Sequence, residues 1–159
     1  MPSRFRIPAG AWTLVKEVAR HLLRRPVVGI AAAARTADGR WLLIRRGDTG
    51  EWALPGGTLE WGEELRASIV RELEEETGVV GAEVGRLVGV WSAPWRDPRF
   101  HAVTVVVECA VGEPVKPPVN PLEILEVKAF AAHELPERLA MGMEDMIRAA
   151  VGGGTGTLE

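Results

Sequence analysis

Residues 57–79 read Gly57-Thr58-Leu59-Glu60-Trp61-Gly62-Glu63-Glu64-Leu65-Arg66-Ala67-Ser68-Ile69-Val70-Arg71-Glu72-Leu73-Glu74-Glu75-Glu76-Thr77-Gly78-Val79. The spacing predicts a helix over Glu63–Thr77, stopped by Gly78 where a left-handed residue is commonly needed. At about 100° per residue, Glu75 lies about 60° to one side of Glu72 and Glu76 about 40° to the other. Glu74 points away. Ile69, Val70 and Leu73 line the neighbouring face and anchor the helix to a core.

Like charges at these spacings repel by a few tenths of a kcal/mol, roughly, per pair in water. An acidic, solvated face is one reading of such a pattern. The other is a divalent cation, because hard cations prefer carboxylate oxygens and keep sites open for water and phosphate. The surroundings decide between them. In order come Gly57, five residues, Glu63, seven residues, then Arg71-Glu72-Leu73, one residue, Glu75-Glu76, one residue and Gly78-Val79. This resembles the Nudix box at every specified position, and with the Leu54-Pro55-Gly56-Gly57 lead-in the chain is similar to that family from about Val27 to Val151.

The resemblance implies an α/β fold, an α/β/α sandwich around a mixed β-sheet. A helical extension over residues 1–25 would precede the domain at 26–151, and residues 152–159 would form a flexible, glycine-rich tail. It implies Glu72, Glu75 and Glu76 as ligands of Mg2+, or of Mn2+ in its place. Glu75 and Glu76 are the firmest, and a backbone carbonyl of Gly56 or Gly57 joins them. Glu63 and Arg71 would brace the loop against the helix. Water would then attack a phosphorus of a diphosphate linkage, helped by a general base. That base is Glu72 or lies outside the box among Glu113, Glu123 and Glu126.

The elements around the box are legible from pattern. Ala11–Arg24 is an amphipathic helix that packs on the body or on a second subunit. Asp38-Gly39 joins two apolar runs, 27–36 and 41–46, as a hairpin. Trp52–Leu54 and 79–91 contain strands, and the β-branched run His101–Val111 is the clearest strand. Residues 112–121 form a Pro-rich loop, 123–131 a strand and 143–151 the last helix. Cys109, alone in an apolar run, reads as a core residue.

The substrate is read from the loop Trp91–His101. Pro94, fifteen residues beyond the box, resembles the pattern of hydrolases of ADP-ribose and other nucleoside diphosphate sugars. The chain has no tyrosine, which removes the marker of the diadenosine polyphosphate subgroup. Trp95, Arg96 and Arg99 are candidates to stack a base and clamp a diphosphate. His101 adjoins that loop as a structural histidine. Arg45 and Arg46 end a strand near the glycine-rich lead-in; alternation sends one of them toward phosphate, with Arg45 taken as that residue.

Composition narrows the partners. The 159 residues carry 19 Lys+Arg against 22 Asp+Glu, a formal charge of -3, without the basic footprint of a nucleic-acid binder. No stretch approaches the ~20 apolar residues of a membrane span, and no apolar segment follows the basic start as in a secretory signal. These features fit a cytoplasmic enzyme acting on a small nucleotide, with a homodimer as its expected state. Two other functions share the motif: hydrolysis of noncanonical or oxidised nucleoside triphosphates to monophosphate and pyrophosphate, and noncatalytic nucleotide sensing. Retention of every box glutamate disfavours the sensor.

Overall fold

The computed structural model describes residues 12, 15–19 and 25–159. Trp12 and residues 15–19 are helical, with all but Ala19 exposed. The rest of the expected helix Ala11–Arg24 lies outside the described residues.

Eight strands form one mixed sheet: β1 (Val27–Thr36), β2 (Trp41–Arg46), β3 (Trp52–Ala53), β4 (Gly56–Thr58), β5 (Glu83–Trp91), β6 (Ala102–Val111), β7 (Ile124–Phe130) and β8 (Thr157–Leu158). Their main order is β3-β2-β1-β6-β5-β8, with β4 beside β1 and β7 beside β2. The centre is the parallel pair β1 and β6, in register from Val27↔Ala102 to Thr36↔Val111. The hairpin β1–β2 closes as expected, with Gly39 at φ 84 in its turn; this conformation suits glycine because no Cβ clashes.

Strand β1 is buried on both faces, as strands covered by helices are. Ala31 and Ala33 face a core containing Met146, Ile147 and Ala150 of helix α2 (Glu144–Val151). Ile30, Ala32 and Ala34 face the opposite core, with Ile69 and Leu73 of helix α1 (Leu65–Thr77). The helices therefore cover opposite faces, giving the sandwich. Burying Ile69 and Leu73 contributes roughly 1.5–3 kcal/mol each, and this seating orients the glutamates beside them.

Two differences from expectation matter. Glu63 lies before α1 rather than in it, because its carboxylate accepts from Arg71 two turns further on. The tail expected to be flexible instead supplies β8: Thr157 and Leu158 pair in parallel with Gly89 and Val90 of β5. Glycine content alone suggested disorder; a free edge on β5, where Gly89 leaves room beside Thr157, provides the partner. Among the described residues no helix is long and apolar enough to cross a membrane.

Candidate active site

Strand β4 brings Gly56 and Gly57 under α1. Gly56 pairs with Ala31 and Gly57 with Ile30 on β1. Gly56 adopts φ 154, and a Cβ there would collide with the Ile30 carbonyl. A Cβ on Gly57 would enter the Glu72 carboxylate. Only glycine lets backbone and carboxylates approach this closely. The Gly56 amide donates to Glu76 Oε2 at 2.7 Å.

Glu72 and Glu76, one turn apart, face a cleft that Glu123 also lines. Burial raises the Glu76 pKa to about 8 against the opposing amide of Gly56, and the negative charges of Glu72 and Glu123 add to the rise. Burial also raises Glu72, opposed by the neighbouring Arg71. Glu76 is thus short of positive charge, whereas Glu72 shares the Arg71 guanidinium. Glu75 behaves differently. Its side chain is 47% exposed, pairs with Arg71 at 3.3 Å, and is not among the residues lining the cleft. Glu75, expected among the firmest ligands, is thus placed at the rim on Arg71 one turn earlier and is not brought together with Glu72 and Glu76.

Arg71 is the hub of the brace. Its Nε and Nη2 donate to the two oxygens of Glu63 at 2.9 and 3.1 Å, and Nη1 donates to Glu72 Oε1 at 3.0 Å. This fork geometry fixes guanidinium and carboxylate together. The Arg71 hydrogen bonds hold the Glu63 carboxyl at about 2, well below its ordinary value.

The Pro-rich loop finishes the far end of α1. Val115 N donates to the Gly78 carbonyl and Val119 N to the Glu75 carbonyl, satisfying groups a helix end leaves open. The chain then turns through Asn120–Leu122 to Glu123, whose carbonyl accepts from Gly47 N at 2.6 Å. A Cβ on Gly47 would collide with the Leu122 carbonyl. That close crossing, which pattern could not reveal, sets Glu123 and Arg46 in one cleft. Of the three carboxylates considered outside the box, Glu113 pairs with Arg40 and Glu126 with Arg45, both on the surface. Glu123 alone of these lines the cleft.

The choice between Arg45 and Arg46 is reversed from expectation. A bulge falls between them where β2 pairs with β7. Arg45 points to exposed Glu126, whereas Arg46 lines the cleft and donates twice to Asp48, at 2.9 and 2.7 Å. Pro94 and Trp95 are exposed and line no cavity near the glutamates, so they are not placed to touch a ligand there. Trp91 is buried, and its Nε1 donates to Asp145. Arg99 stands at the cleft mouth between Asp97 and Asp48. Arg96 is held by Asp145, Glu159 and the Gly142 carbonyl. His101 Nε2 meets the Ser92 carbonyl at 2.8 Å, consistent with a structural role. Cys109 is buried, which pushes its thiol up to about 11 and leaves it unreactive.

A second cavity opens from the same mouth. Ile30, Leu54, Phe100, Met141, Met143 and Met146 form its apolar walls. Arg46, Gly56, Gly57, Thr58, Arg99 and Phe100 belong to both cavities. Phe100 and the methionines carried no signal in sequence, since nothing in their spacing marks a shared wall.

The NUDIX domain profile matches residues 23–150. The chain belongs to the Nudix family. It is 36% identical over 121 residues to an ADP-ribose pyrophosphatase of Methanocaldococcus jannaschii, covering 70% of this chain and 65% of that protein's length. It is 31% identical over 127 residues to a CTP pyrophosphohydrolase of Escherichia coli, covering 67% and 93%. A MutT NUDIX hydrolase from Burkholderia pseudomallei superposes with TM-score 0.68 at 31% identity, covering 79% of this chain and 98% of that one. The superposition agrees with the sandwich fold.

The donors fit a hard divalent cation in kind. Glu72, Glu76 and Glu123 offer oxygen, as do the carbonyls of the glycine turn. Glu76 is part-buried, with a backbone amide but no cationic side chain on its carboxylate, which suits such an ion. They do not form a preset cage: among the described residues, no three His, Cys, Asp or Glu side chains converge closely enough to hold an ion.

Proposed function

We propose that the chain hydrolyses the diphosphate linkage of a nucleoside diphosphate sugar such as ADP-ribose, giving a nucleoside monophosphate and a sugar phosphate. One observation carries the reading. An acidic cleft and an apolar cavity meet at a neck that both share, formed in part by Arg46 and Arg99. A molecule with a flat apolar end, a doubly charged middle and a polar far end fits that sequence of environments. The name of the Methanocaldococcus relative agrees.

Glu72 and Glu76 would hold Mg2+ or Mn2+, with a carbonyl of Gly56 or Gly57. When bound, the cation supplies charge neutralisation at the phosphates and acidifies water. Arg46 and Arg99, each forked onto an aspartate, supply positive charge where the diphosphate would cross the neck. Glu123 accepts the proton of the attacking water; its support is its place in the cleft, held by the Gly47 crossing. Glu63 and Arg71 position Glu72 without touching the ligand.

A second reading, hydrolysis of a nucleoside triphosphate, draws support from the Escherichia coli relative, whose length is 93% covered. Turnover of ADP-ribose, UDP- and GDP-sugars, diadenosine polyphosphates and noncanonical triphosphates, each with Mg2+ and Mn2+, separates the two. Preference for the sugar-linked diphosphates is expected. Turnover of triphosphates alone would remove the first reading.

A further inference from the structure

Met141 is, among the described residues, the non-glycine residue with positive φ (φ 56, ψ 25). For an L-residue this left-handed conformation is costly, so the surroundings must hold it. They do so through Arg96. Its Nη1 donates to the carbonyl of Gly142, the next residue, at 2.6 Å. Its other contacts, Asp145 on α2 and Glu159, fix the guanidinium. Asp145 is held in turn by Trp91 Nε1 at 3.2 Å. Arg99 Nη2 approaches Met141 Sδ at 3.8 Å from the other side.

The thioether so placed forms a wall of the apolar cavity, beside Met143 and Met146. The charged groups at this cavity are engaged with one another: Arg96 as above, and Asp97 by the Arg99 amide, Nε and Nη2. Beside the threonines Thr58 and Thr104, the wall of Met141, Met143 and Met146 offers a ligand apolar and polarisable surface. Methionine sulfur against an aromatic ring is a favourable contact, and such walls adapt to rings of differing outline.

We propose that Met141 is a specificity-determining residue that packs against the substrate's planar base, and that Arg96 is a positioning residue that sets it. This rests on the nucleotide reading above and deepens it: contact area against the methionine wall contributes to recognition of the base. Purine nucleotides should bind more tightly than pyrimidine ones because they bury more surface.

The test measures binding by calorimetry, using AMP and inorganic pyrophosphate as probes with the full chain, beside thermal unfolding. Met141→Gly relieves the left-handed strain and removes the wall. Its Tm should equal or exceed that of the wild type while AMP affinity falls on the order of tenfold and pyrophosphate affinity holds. Met141→Leu, similar in volume, should keep AMP affinity within about twofold. Arg96→Ala should weaken AMP in the wild-type background but add little in the Met141→Gly background, since its effect passes through Met141. Unchanged AMP affinity in Met141→Gly overturns the proposal, as does an equal loss for pyrophosphate. So does wild-type protein that binds pyrophosphate but not AMP. Wild-type protein that shows the expected AMP pattern yet cleaves no sugar-linked diphosphate would instead overturn the functional reading and leave the base wall standing.

Discussion

Glu76 and Glu75 are adjacent in sequence and unlike in circumstance. One is part-buried with a raised pKa and a backbone amide on its oxygen; the other is half exposed and tied to Arg71. Glu76→Gln should therefore cost more turnover than Glu75→Gln when Mg2+ is limiting, as steady-state rates across a Mg2+ titration will show. Equal losses would place both on the ion. Glu123→Gln should lower kcat about 10²-fold or more if its carboxylate takes the water's proton. A loss confined to KM would reassign it to binding. The box pattern made Glu72 and Glu76 legible, because a helix converts spacing into a shared face. Sequence named Glu123 but could not choose it over Glu113 and Glu126, because its place depends on Gly47 crossing under the Leu122 carbonyl. Nor could it show that Arg46 rather than Arg45 faces inward, because alternation fixes only that the two differ and the bulge sets the sense.

At the scale of the element, the brace between Glu63 and α1 has a definite pH signature. The folded-state pKa of Glu63 is about 2, below its ordinary 4.5. A depressed carboxylate contributes stability that is complete above its unfolded value and is lost as pH falls toward the folded one. The Tm difference between wild type and Glu63→Gln should thus be present near neutrality and shrink between pH 4.5 and about 2. A difference constant across that range would show that the pair adds no proton-linked stability. Strand β4 provides a second handle. Gly56→Ala would press a methyl into the Ile30 carbonyl, at a cost of roughly 2–4 kcal/mol in chemical denaturation. An unaltered midpoint would mean that β4 relaxes freely. Helix α1, the hairpin and β6 were predictable from period and turn chemistry. Strand β8 was not, since two exposed residues after a glycine run look like a tail until a free edge is known to await them.

For the molecule as a whole, the sandwich places α1 and α2 on opposite faces of β1, and the site draws on both sides. Glutamates come from one helix, and Met146 of the apolar cavity from the other. Sequence made the acidic side plain, whereas the apolar side was obscure because its residues are scattered from Ile30 to Met146 and converge only on folding. Pro94, read as a substrate marker, sits exposed outside both cavities. The substrate reading now rests on the cavities' shared neck instead. The most direct test of the central claim is product analysis with ADP-ribose and Mg2+, for wild type and Glu76→Gln side by side. Wild type should yield AMP and ribose phosphate, with the rate collapsing in Glu76→Gln. An undiminished rate in Glu76→Gln, or no cleavage of ADP-ribose or any other nucleoside diphosphate sugar by wild type, would contradict it.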